Sequence, residues 1–367
     1  MSRVALARCA DYDLDNVYSA VKAAIDMLGG IGKFIKPGMT VLLKPNLLTV
    51  RQADDAVVTH PEVVRAVGRL VQGAGGIVWV GDSPGGYGKN IDEIFEKSGL
   101  RHIANEEDFE LVRFTTASFV EGFPIAKQVF DADFMISIPK LKTHCVTVMT
   151  GALKNTFGTV TGLYKAECHS RSPREADLAK ILVKVHSIAR PGLTVVDGIV
   201  GMEGDGPSGG MARRMNVVMA GEDAVAIDSC IARIIGVRAM DVAVTRRAYE
   251  EGLGEIDLEK VEIIGESLEN FIAKDFKLPQ TIPLNMIPRP ALKWLLGMVG
   301  FKIKIDENIC IRCALCKTAC PVDCIKIEES ACSIDYKRCL RCLCCHEVCP
   351  HKAILIKRNI LTRLVWK

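Results

Sequence analysis

Seven short apolar runs punctuate the chain up to about residue 270: VALARC, MTVLLKPN, GIVWVGDSP, DFMISIPK, LTVVDGIV, MNVVMAG and VEIIGE. Most close on Gly, Pro, Asp or Asn, and such runs predict strands buried on both faces. Helical patterns lie between several of them. DLDNVYSAVKAAIDMLGG carries acids in its first turn and glycines after its last. Thr59-His60-Pro61-Glu62 opens a second helix, with Pro61 at the first helical position. DAVAIDSCIARIIG and VAVTRRAYEEGLG are further amphipathic segments. Strand–helix alternation predicts an α/β domain over 1–272, its mostly parallel or mixed sheet covered by helices. The pattern does not fix the strand order.

The 367 residues correspond to two domains or three, at roughly 150 residues per domain. KLPQTIPLNMIPRP places Pro279, Pro283, Pro288 and Pro290 close together, which blocks regular helix and favours a stiff connection. With the short apolar ALKWLLGMVGF after it, read as a helix packed between domains, it forms a linker over 273–300. A compact region over 301–358 and a basic tail over 359–367 follow. Hydrophobic residues at 49% and charged residues at 25% match ordinary soluble proteins. No apolar run reaches the roughly 20 residues of a membrane helix. MSRVALARCADYDLD turns acidic before any apolar signal core forms, so a cytoplasmic protein is expected. A net charge of +3 gives no support to nucleic-acid binding.

The cysteines change this picture. Of 15, eleven fall between Cys310 and Cys349, an uneven and odd-numbered distribution that argues for metal ligation over a disulfide scaffold. Cys310-x2-Cys313-x2-Cys316-x3-Cys320-Pro321 is followed by Cys339-x2-Cys342-x2-Cys345-x3-Cys349-Pro350. Both runs have the bacterial spacing for [4Fe–4S] clusters, in which the fourth cysteine of each run ligates the other cluster. Cys310, Cys313, Cys316 and Cys349 are therefore expected to hold one cluster, and Cys339, Cys342, Cys345 and Cys320 the second. Zinc usually takes separated C-x2-C pairs instead of two triplets with trailing C-P. DENICIRCALCKTACPVDCIKI is echoed by DYKRCLRCLCCHEVCPHKAILI, an internal duplication. The region resembles a two-cluster bacterial-type ferredoxin, a small α+β ferredoxin-like domain of about 60 residues. Cys344, Cys324 and Cys332 fall outside the pattern and read as a bystander and two packed small hydrophobes.

In α/β sheets ligands bind beyond the carboxyl ends of strands. Lys44 and Asn46 follow one apolar run, and Asp82 and Ser83 another. Lys140, Lys142, Thr143 and His144 follow a third, Lys154 and Asn155 lie in TGALKNTFG, and Asp197 ends LTVV. Four lysines with these polar neighbours read as a site for an anionic small molecule. GMEGDGPSGG reads equally as a backbone anion cradle or a flexible loop. Its Glu203 and Asp205 are weaker candidates for a cation or base. The doublets His144-Cys145 and Cys168-His169 are a weak metal signal. Neither a P-loop nor a G-x-G-x-x-G turn is present.

KPNL at Lys44–Leu47, THPE at Thr59–Glu62, GDSPGG at Gly81–Gly86, PKLKTH at Pro139–His144, GALKNTFG at Gly151–Gly158 and VVDGIVGMEGDGP at Val195–Pro207 resemble the domain of unknown function 362 family, over roughly residues 1–270. The resemblance implies an anaerobe-associated iron–sulfur protein and transfers no reaction. From the residues we expect an iron–sulfur oxidoreductase. Low-potential electrons would pass through two [4Fe–4S] clusters to an anionic organic substrate or cofactor held by Lys44, Lys140, Lys142 and Lys154. His144 is the expected proton donor, oriented by Asp82 or Asp197. Flavin is left open. The rival reading is a non-catalytic electron carrier or cofactor-maturation partner. From Phe301 onward Lys and Arg number 13 against 7 Asp and Glu, which suits an acidic ferredoxin or a reductase as redox partner.

Overall fold

The computed structural model describes residues 1–84, 91–162, 164–172, 175–279, 301–328 and 331–358. Gly85 and Gly86, most of the proline-rich linker with its apolar segment, and the basic tail lie outside them. The α/β domain contains β1 (Ser2–Arg8), β2 (Thr40–Pro45), β3 (Ile77–Val80), β4 (Glu110–Leu111), β5 (Ala117–Val120), β6 (Phe123–Ala126), β7 (Phe134–Ile138), β8 (Lys140–His144), β9 (Val148–Thr150), β10 (Leu193–Glu203), β11 (Met211–Gly221) and β12 (Val261–Gly265). A mixed sheet runs β12-β1-β11-β10-β7-β2-β3-β4, with β8 and β9 added beside β10. All seven apolar runs are strands of it.

Alternation along these strands feeds two cores. Ala5 and Ala7 of β1 face one apolar cluster, while Val4 and Leu6 face the other. The first is covered by helices Leu14–Asp26 and Pro61–Gly73, the second by Glu175–Ala189, Ala224–Ile234 and Ala243–Glu250. Asp13 caps the first helix by accepting from the amides of Asp15 and Asn16, as its acidic start predicts.

Two readings change. PKLKTH is not a loop: Lys140–His144 forms β8, pairing parallel to β10 and antiparallel to β9. Asp197 does not end its strand, because β10 continues to Glu203 and the glycine-rich segment is a turn joining it to β11. That turn is not a loose loop, as its contacts below explain.

The cysteine-rich domain is small: β13 (Phe301–Ile305) pairs with β16 (Ile354–Arg358), β14 (Ile325–Ile327) pairs with β15 (Cys332–Ile334), and short helices Leu315–Thr318 and Cys344–Val348 follow the cysteine loops. Among the described residues no helix is long and apolar enough to cross a membrane.

Candidate functional site between two domains

β8 presents Lys140, Lys142 and His144 on one face, and all three are buried. Burial this deep excludes a solvated lysine surface. Each ammonium has partners. Lys44 lies 2.8 Å from Asp82, whose other oxygen accepts from the Leu47 amide at 2.7 Å. Burial pulls Lys44 down and Asp82 up from their ordinary pKa values, and their mutual attraction opposes both. Gly158 is required here, because a Cβ would run into Asp82 Oδ1 and Lys44 Nζ.

Lys142 donates to Asn46 Oδ1 at 2.8 Å and to Val57 O at 2.6 Å. Burial, then the nearby Lys154, hold it well below the ordinary lysine value. Asn155 ties the group together. Its Oδ1 accepts from Lys44 and Asn46 at 3.3 Å, and its amide donates to Ser137 Oγ at 2.9 Å. The short helix carrying Lys154 and Asn155 is anchored by Asp228, which accepts from the amides of Ala152 and Leu153.

A cavity opens onto this network. From the α/β domain it takes Lys44, Asn46, Asp82, Ser83, Lys154, Asn155 and Lys165, with Leu47 and Phe157 as apolar wall. The cysteine-rich domain closes it with Ala319, Cys344, Glu347 and Val348. Lys165 donates to Ser83 Oγ at 2.9 Å.

Five expected members, Lys140, Lys142, Thr143, His144 and Asp197, do not line this cavity. Lys140 is 2.8 Å from Asp197 in a buried knot, where Tyr12 donates to Asp197 at 2.8 Å and His60 stacks on Tyr12 at 3.6 Å. Thr143 alternates to the opposite face of β8. Neither Asp82 nor Asp197 orients His144, since each is engaged by a lysine. Instead His144 Nδ1 accepts from the Val146 and Thr147 amides at 3.1 and 3.3 Å, which puts the ring proton on Nε2. That atom lies 3.1 Å from Glu347 Oε1. Glu203 is paired with Arg213 at 2.9 Å, and among the described residues no three His, Cys, Asp or Glu gather as for a single ion. Cys145 packs into the core of the cysteine-rich domain.

The glycine-rich turn is the seat of that domain. Ser208 donates to His346 O at 3.0 Å, His346 Nε2 lies 3.1 Å from Asp205 O, and Lys352 donates to Gly210 O at 3.1 Å. A Cβ on Gly209 would stand 2.6 Å from the His346 ring, so glycine lets the helix approach.

Inside the cysteine-rich domain are two small apolar cavities. One is lined by Cys310, Cys313, Cys316 and Cys349. The other is lined by Cys320, Cys324, Cys339, Cys342 and Cys345. Arg312 and Ala314 in the first loop, and Arg341 and Leu343 in the second, hold left-handed φ between 56° and 64° at matching positions. Such backbone is costly for non-glycine residues and curls each loop about its cavity. Each lining offers four thiols from the two cysteine runs, with Cys324 as a fifth in the second, a donor set that fits a cubane cluster. Cys332 and Cys324 sit beside ligand positions, 3.8 Å from Cys310 Sγ and 3.4 Å from Cys320 Sγ, as packed thiols.

Sequence reasoning passed over Tyr12, His60, Lys165 and Glu347. Glu347 carried one signal, an acid placed between Cys345 and Cys349 of the second cysteine run.

The family profile described as "Domain of unknown function (DUF362)" matches residues 41–233, and that described as "4Fe-4S binding domain" matches 303–326. A thylakoid-associated protein of Synechocystis sp. is 32% identical over 295 residues, 78% of this chain and 91% of that protein. The lactate racemase apoprotein from Thermoanaerobacterium thermosaccharolyticum aligns at a TM-score of 0.37 and 13% identity, over 60% of this chain and 54% of the racemase. A likeness that weak carries no argument.

Proposed function

The chain belongs to the DUF362 family and carries a 4Fe–4S binding domain, and from that premise we propose an iron–sulfur oxidoreductase acting on an anionic organic molecule. In this reading Cys310, Cys313, Cys316 and Cys349 hold one [4Fe–4S] cluster and Cys320, Cys339, Cys342 and Cys345 a second. Bound there, the clusters supply low-potential electron transfer. The observation that carries the reading is the cavity walled by both domains, with lysines on one side and the cysteine-rich helix on the other.

The lining holds three ammonium groups, Lys44, Lys154 and Lys165, against two carboxylates, Asp82 and Glu347. One positive charge is left for a ligand, which suits a singly charged organic anion. Leu47, Phe157 and Val348 take its apolar part and keep water out. Lys142 steadies Asn46 from behind the wall. His144 turns its Nε2–H toward Glu347 and orients that carboxylate, which lines the cavity. We assign the protein to a reducing, oxygen-poor cytoplasm, because the exposed thiol of Cys313 needs such conditions to stay a ligand.

A second reading, an electron carrier that docks an acidic redox protein, draws support from Ile311, Arg312 and Cys313 exposed at one cysteine loop. Photoreduced protein exposed anaerobically to separate small-molecule and protein fractions of host cells distinguishes the two. Reoxidation by an anionic small molecule, weakened in Lys154→Met, is the outcome expected. Reoxidation by acidic proteins alone, unchanged in Lys154→Met, rejects the enzyme and favours the carrier.

A further inference from the structure

Arg51 belongs to the loop after β2, yet its guanidinium crosses the seam between the domains. Its Nη2 donates to the backbone carbonyl of Cys349 at 3.1 Å. The side chain is only 9% exposed, whereas its nearest carboxylate, Asp55, stands 3.7 Å away and is 40% exposed. The countercharge is therefore largely solvated while the cation is not. Nε is buried with no hydrogen-bond partner, a donor left over beside the first cysteine cavity. A buried unpaired donor is costly and is normally retained for a partner.

The lining of the other cavity carries no charged side chain; Arg338 donates to Val322 O there but is exposed, and Lys154 on that side is countered by Glu347 in the same wall. Arg312 also lines the first cavity, but it is exposed and its charge is screened by water. Arginine stays protonated at any physiological pH, so Arg51 contributes a fixed positive charge. The reduction potential of an iron–sulfur centre responds to nearby charge, hydrogen bonding and solvent exposure. Reduction adds negative charge, and a buried cation nearby favours the reduced form.

We propose that Arg51 is a tuning residue lent by the α/β domain, which makes the centre at Cys310, Cys313, Cys316 and Cys349 easier to reduce than its twin. The duplicated cysteine loops alone would leave the two centres nearly equivalent. The domain that binds the small molecule thereby sets which centre fills first. This inference rests on the two-cluster reading above.

The test is an anaerobic redox titration followed by EPR on the full chain, in wild type, Arg51→Met, Arg51→Lys, Asp55→Asn and Arg312→Gln. Arg51→Met is expected to lower the reduction equilibrium constant of one centre by about tenfold, about 59 mV for one electron, and to leave the other in place. Arg51→Lys should restore most of the loss, and Asp55→Asn should move the same centre the opposite way by less. Arg312→Gln should move it less than Arg51→Met does. Equal movement of both centres, movement of neither, or Arg51→Lys behaving like Arg51→Met overturns the proposal. If Arg51→Met fails to assemble, Asp55→Asn decides alone, and an unmoved potential there overturns it. Iron analysis of the same samples separates the two failures. Iron for a single cluster contradicts the two-cluster reading, while about eight irons with unshifted potentials contradicts only the role of Arg51.

Discussion

The α/β domain and the cysteine-rich domain reach stability by different routes. The first buries two large apolar clusters on opposite sheet faces, and places its internal charges in compensated pairs such as Lys44–Asp82 and Lys140–Asp197. The second has a core of eleven buried residues, five of them cysteines, one of which is Cys145 lent by the other domain. A region that small cannot rest on apolar burial alone and needs a metal or a partner. Chemistry and stability coincide in the cysteine-rich domain, whereas the α/β domain has stability enough to hold an energetically awkward site.

The largest expected effect breaks this contrast directly. Removing the metal with chelator and oxidant should unfold the cysteine-rich domain and leave the α/β domain folded, as read by circular dichroism and limited proteolysis. A single cooperative loss of both would show that the α/β domain depends on its neighbour. Cys320→Ser sharpens the point, because its thiol lines the cavity of the second cysteine run. It should abolish the centre at Cys339, Cys342 and Cys345 and spare the other in EPR.

Next in size is the buried pair. Asp82→Asn or Lys44→Met alone should cost about 3–5 kcal/mol, because either leaves a charge unpaired in the interior. The double variant should cost less than the sum of the two. Urea unfolding of the α/β domain measures this, and additive costs would mean that the pair is not coupled.

Smaller again is the seat. Gly209→Ala should cost about 1–3 kcal/mol by pushing the His346 helix away. The loss should show as faster proteolytic release of the cysteine-rich domain, with α/β unfolding unchanged.

The smallest effect is a pH dependence inside the α/β domain. Burial lifts the Asp228 carboxyl to about 7, so the native state keeps a proton that the unfolded chain has already shed above about pH 4. Stability from this group is full at low pH and falls as pH rises through that window. Asp228→Asn removes the term, so the variant should gain on wild type between pH 4 and 7 in urea midpoints. A constant difference across that range would mean that Asp228 is not protonated in the fold.

How much of this was legible depends on how local each constraint is. Cluster ligation imposes its spacing within one loop, so the cysteine runs, and the placing of each fourth cysteine beside the other run's cavity, could be read from sequence. Buried strands announce themselves as apolar runs, and all seven were found. β8 was missed because Lys-Leu-Lys-Thr-His turns its charged positions inward, which inverts the usual pattern. Its partners, Asp197, Asn46 and Glu347, come from segments far apart in the chain. Nothing in the local sequence announces that His144 faces Glu347 in place of Asp82, or that Tyr12 and His60 stack. The glycine-rich turn was recognised as unusual, but its reason lies in the His346 ring packed against Gly209, a contact between domains.

The central claim is that one cavity at the seam receives an anion beside a reduced iron–sulfur centre. It is tested most directly by EPR of the anaerobically reduced protein titrated with a panel of small carboxylates and with inorganic phosphate. The account predicts a saturable change in the spectrum of one centre, produced by at least one organic carboxylate and lost in Lys154→Met. Spectra that no anion in the panel alters, from protein with a full complement of iron, would contradict it.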